Sequence, residues 1–146
     1  MAIVHWLKVM SRREWPKSWS NQELLLRAQH ARLESAFAEL LTFYRSYSSS
    51  VTEPEAFAYE GLCRRLLWWL KLHQRLEERW LRRQDCLSSG HQGDHQELLQ
   101  RAFVDCCKTA NNPKSRFIWL NNLQTSLSGH VLSADAYDYS FANSKS

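Results

Sequence analysis

Two histidines stand in near-matching strings, His30-Ala31-Arg32-Leu33-Glu34 and His73-Gln74-Arg75-Leu76-Glu77, each followed three residues later by an aromatic, Phe37 and Trp80. A neutral imidazole is a hydrogen-bonding group and a good metal ligand, so its level in the fold matters. If the chain turns back near residues 50 and 90, position 30 lies opposite about 71 and position 73 opposite about 107, at about 1.5 Å of rise per helical residue. His30, His73, Cys106 and Cys107 then approach one layer, and helical bundles do build metal sites from facing side chains. Against this, no spacing within either helix matches a known metal signature, and adjacent cysteines point about 100° apart. The expectation is a buried polar layer with no metal and no cofactor, each histidine bonded to its own glutamate one turn on. His30, His73 and Cys106 are the residues an ion would take.

A second chemistry-bearing stretch is basic and aromatic. Arg64, Arg65, Lys71, Arg75, Arg79, Arg82 and Arg83 oppose only Glu77 and Glu78, with Trp68, Trp69 and Trp80 interleaved. Guanidinium groups grip phosphates and carboxylates in bidentate fashion, and exposed indoles stack on unpaired bases. Arg64, Arg75, Arg79, Arg82, Arg83 and Trp68 are therefore the candidate residues for a nucleic acid or another anionic partner. A solvated helix face with its tryptophans in the core is the alternative.

In this stretch His73-Gln74 with Glu77 and Arg79, then Cys107-Lys108 and Ala110 near the end of the next helix, resembles the C-terminal half of bacterial primosomal replication protein PriC. The resemblance covers residues 62–110. It implies a small, basic, helical protein that binds single-stranded DNA and helps load the replicative helicase, with Arg64, Arg75, Arg79, Arg82 and Arg83 facing the DNA. The N-terminal half departs from that family, the second helix pair is shorter, and residues from Gly129 onward have no counterpart in it.

These residues need helices to hold them, and the composition supplies helices. The 146 residues include only 4 Gly and 3 Pro, and Leu, Ala, Arg, Gln and Glu dominate. A hydrophobic share of 44% over that length supports one cored domain. Ser20-Asn21-Gln22-Glu23 reads as a capping box opening a first long helix. Its seam, Leu26, His30, Leu33, Phe37, Leu40, Tyr44 and Tyr47, alternates spacings of four and three, as side-by-side helices require. Thr52-Glu53-Pro54-Glu55 opens a second helix toward Cys86, with the seam Tyr59, Leu62, Leu66, Trp69, His73, Leu76 and Trp80. A third is expected from Asp94 to Ala110, burying Leu99, Ala102, Phe103, Cys106 and Ala110. A fourth runs from about Lys114 to Gly129 through Phe117, Ile118, Leu120, Leu123 and Leu127. The expected fold class is all-α, an antiparallel helical bundle of three to four helices over residues 20–129. A Trp-rich N-terminal arm (residues 1–19, with Trp6, Trp15 and Trp19) precedes it, and a flexible C-terminal tail (130–146) follows.

The four cysteines, with no secretory leader, are expected to be free thiols in a cytoplasmic protein. The longest apolar run, Leu66 to Leu72, is far short of a membrane span and contains Lys71. There is no phosphate-binding glycine loop, nucleophile elbow or metalloprotease helix, so an enzyme is not expected. The reading is a non-enzymatic helical interaction protein that recognises a protein partner through a bundle face or the Trp-rich arm. The alternative is a nucleic-acid-binding accessory protein using the second helix, and the 3.5-residue seams also suit a homodimer. The double variant Arg75→Glu/Arg79→Glu separates the two: if nucleic acid is the partner, single-stranded DNA affinity in a low-salt titration should be abolished.

Overall fold

The computed structural model describes residues 22–130. The arm carrying Trp6, Trp15 and Trp19 and the tail beyond His130 lie outside them. Within them the chain forms four helices, α1 (Gln22–Arg45), α2 (Glu53–Arg83), α3 (Ser89–Thr109) and α4 (Pro113–His130). The described residues are all-α, and none of these helices is long and apolar enough to cross a membrane. Each helix packs on its neighbours in sequence, and α4 closes the ring by packing on α1.

The helix ends are set by local chemistry. The Thr52 hydroxyl accepts from the Glu55 N–H at 3.3 Å, and Pro54 occupies the first turn of α2, where its missing N–H leaves no helical bond unmade. At the other end Asp85 takes the left-handed conformation (φ 53°). The Cys86 N–H then reaches the Leu81 carbonyl at 2.9 Å and the Asp85 N–H reaches Arg82 at 3.1 Å. This is the paired pattern that stops a helix abruptly, with aspartate in the place glycine usually takes. Asn112 then caps α4, its Oδ1 accepting from the Ser115 N–H at 3.0 Å with Pro113 just behind it.

The start of α3 corrects the sequence reading. The helix begins at Ser89, not at Asp94, because Ser88 is its cap and accepts from the His91 N–H at 3.1 Å. Gly90 and Gly93 weaken helix propensity without ending it, and neither has a positive φ. The extra turn carries His91 and His95 into the helix on one face, four residues apart.

The core is split. The larger apolar cluster holds Leu33, Phe37 and Leu40 of α1, Leu66, Leu67 and Leu70 of α2, and Trp119, Leu120 and Leu123 of α4. A smaller one gathers Leu26, Trp80, Leu81 and Cys86. In α1 and α2 the residues between the two clusters are polar and buried: Gln29, His73, Gln74 and Glu77, joined by His91 and His95 from α3. Of the apolar residues along α4, Ile118 is 51% exposed. A methyl group added at Gly93 meets open space, so Gly93→Ala should raise stability by about 0.5–1 kcal/mol. Urea unfolding of the variant beside the parent checks this.

Candidate metal centre

The buried polar layer is a cluster of four imidazoles about one carboxylate. Two overlapping sets of possible ligands share Glu77: Glu77 with His91 and His95, and Glu77 with His30 and His73, the ligand atoms of each set lying within 4.8 Å of one another. Glu77, His91, His73 and His95 are 0%, 1%, 2% and 2% exposed, so water does little to stabilise the carboxylate's charge.

The two longer edges of this triangle match those of a coordination face, and the shortest is a hydrogen-bond distance. His91 Nε2 lies 2.7 Å and His95 Nε2 3.2 Å from Glu77 Oε1, and the two nitrogens are 3.1 Å apart. At a metal–ligand distance of about 2.1 Å the ligands of an octahedral ion are about 3.0 Å apart, and those of a tetrahedral ion about 3.4 Å.

With Glu77 ionised, one N–H in this triangle can be shared between Glu77 Oε1 and the other ring's lone pair. A carboxylate oxygen only accepts, and an imidazole nitrogen either carries a proton or offers a lone pair, never both. If both nitrogens are protonated, the two N–H groups confront each other. If only one is, the other's lone pair faces the carboxylate. A cation at the centre of the triangle meets three lone pairs at once.

The outer partners orient the rings the same way. His95 Nδ1 lies 2.9 Å from Glu78 Oε1, an acceptor, so in the neutral ring Nδ1 carries the proton and Nε2 turns its lone pair toward Glu77. His73 repeats the arrangement: Nδ1 donates to Gln29 Oε1 at 2.7 Å, and Nε2 faces Glu77 Oε2 at 3.3 Å. A second oxygen partner holding the far ring nitrogen is the usual support of a metal-bound histidine.

The sequence-derived layer is thus met in part. His30 and His73 do come together, with ring centroids 4.2 Å apart. Glu77 does sit beside His73, but Glu34 is exposed and does not join the layer beside His30. Cys106 is not in the layer: its Sγ accepts from Arg116 Nη1 at 2.9 Å, inside a separate knot where Arg116 also donates to Glu60 at 2.6 Å. Cys107 is exposed. Sequence reasoning missed His91 and His95. The available signal was their four-residue spacing, hidden by starting the helix at Asp94.

Arg64, Arg75, Arg79, Arg82 and Arg83 are all exposed, and Trp68 is 59% exposed, with the Lys71 ammonium 5.0 Å from its ring centroid. Arg64 also pairs with Glu60 at 3.6 Å. No family model, no curated protein and no solved structure matches this chain.

The Arg116 knot affects the thiols. Burial pushes the Cys63 thiol up to about 12, and burial also raises Cys106 despite the guanidinium beside it. Reactive thiolate is therefore scarce at both positions, whereas Cys107 is open to solvent. Under native conditions near pH 8 a thiol reagent should modify Cys107 first. Cys63, Cys86 and Cys106 should follow only on unfolding, as a time course by mass spectrometry would show.

Proposed function

We propose that this chain is a metal-binding helical protein in which a divalent transition-metal ion, held by Glu77, His91 and His95, fastens α2 to α3. The observation that carries the reading is the triangle of Glu77 Oε1, His91 Nε2 and His95 Nε2, with edges of 2.7 to 3.2 Å and with Glu78 supporting His95 from behind. Two imidazoles and a carboxylate suit zinc, iron(II), cobalt(II) or manganese(II) better than calcium or magnesium, which prefer all-oxygen shells. The burial of all three ligands favours a structural ion over one that exchanges substrate with bulk water.

In this reading the four helices form an antiparallel bundle, and the ion fixes how α2 is presented. Arg75, Arg79, Arg82 and Arg83 lie on the outer side of the same turns that bear Glu77, exposed to solvent. Their guanidinium groups support recognition of an acidic protein surface, with single-stranded nucleic acid, as the likeness to PriC implies, as the second reading. The four free cysteines suit a reducing compartment such as the cytoplasm.

Dialysis against a strong chelator, followed by a thermal melt with and without added zinc or cobalt, tests the metal reading. At free metal one-hundredfold above Kd the ion contributes about 2.7 kcal/mol, which corresponds to a Tm increase of roughly 10 °C. His91→Ala/His95→Ala should abolish that increase, and Glu78→Gln should weaken binding about 10- to 100-fold. A chelated protein whose melt ignores both metals overturns the proposal.

A further inference from the structure

We infer that the centre is dinuclear, with Glu77 bridging two ions through its two carboxylate oxygens. This rests on the metal reading above and extends it to the other side of the same carboxylate. Oε1 faces the α3 pair, His91 at 2.7 Å and His95 at 3.2 Å, while Oε2 faces His73 of α2 at 3.3 Å. His30 of α1 completes the second set with His73 and Glu77.

Three features of the second set support an ion. The 3.3 Å between His73 Nε2 and Glu77 Oε2 matches the edge of a tetrahedral shell of about 3.4 Å. His73 is held from behind by Gln29, so its Nε2 lone pair is directed at an oxygen that only accepts while ionised. The rings of His30 and His73 are in contact at 4.2 Å between centroids and tilted by 51°, which sets two imidazoles from different helices side by side near Oε2. A carboxylate using one oxygen for each ion is a general way to hold two ions about 3.5–4 Å apart. Glu78, 18% exposed behind His95, adds a second negative charge beside Glu77 at the α3 side.

The two sets come from different elements. His91 and His95 ride on one helix and preorganise the first site, whereas the second needs α1 and α2 in register. The first ion therefore binds more tightly and the second fills afterwards.

Titrating the chelated full-length protein with cobalt(II), followed by the visible absorption of the bound ion and by bound-metal analysis after desalting, distinguishes the cases. Two ions per chain, falling to one in His30→Ala with the first site retained, are expected. A manganese(II)-loaded sample provides a check that needs no variant: two ions sharing a carboxylate should give an exchange-coupled paramagnetic resonance spectrum at two equivalents and an isolated-ion spectrum at one. One ion per chain in the parent, with an uncoupled spectrum at excess metal, overturns the dinuclear centre and leaves the single site standing. No bound ion in the parent overturns both.

Discussion

A carboxylate taken out of water loses hydration worth many kcal/mol unless its surroundings replace it, and Glu77 sits at 0% exposure in the middle of a helical core. Imidazoles from α2 and α3 lie within 3.3 Å of it. Much of the rest of the structure follows from keeping those rings in place. The apolar core divides into two clusters because a polar layer runs between them, and side chains as bulky as Trp80 and Leu81 on one side and Leu70 on the other close that layer off from solvent. Gln29 and Glu78 have no role in an oily core. As acceptors for the far nitrogens of His73 and His95 they determine which nitrogen points inward.

Placement of the layer begins with the helix ends. Asp85 in the left-handed conformation halts α2 within one residue of Gln84, and Ser88 starts α3 almost at once, so the connection is too short to let α3 drift along α2. His91 sits at the third position of the new helix, with its own N–H bonded to the Ser88 hydroxyl. The cap that begins the helix thus also anchors the backbone of a residue in the cluster. The weak propensity of Gly90 and Gly93 is tolerated in the first two turns because the cap and the buried histidines hold them.

Arg116 provides an instructive contrast. It too is a buried charge, but its partners are complementary by ordinary hydrogen bonding: both Glu60 oxygens accept from Nη2, at 2.9 and 2.6 Å, and the Cys106 sulfur accepts from Nη1. Donors meet acceptors there, and nothing further is required. In the histidine cluster one carboxylate meets several ring nitrogens whose donor and acceptor roles depend on the tautomer, which makes that group a candidate ligand set and the Arg116 group a structural pair.

The helix positions were legible in the sequence because they depend on local signals. The Thr52 cap with Pro54 in the first turn, the seam from Leu26 to Tyr44 and the start of a fourth helix near Lys114 each rest on residues a few positions apart, and the structure places helix ends close to them. The pairing of His30 with His73 was legible too, by counting outward from the turn between their helices. Where a local signal was misjudged, at Ser88, the error of five residues concealed half the cluster. The convergence on Glu77 was not written locally. It depends on the rotation of α3 about its own axis and on the register of three helices, which the packing of Leu33, Leu66 and Leu70 with their neighbours sets. A sequence pattern states which residues share a face of one helix. Only the packed structure decides which faces meet and at what height.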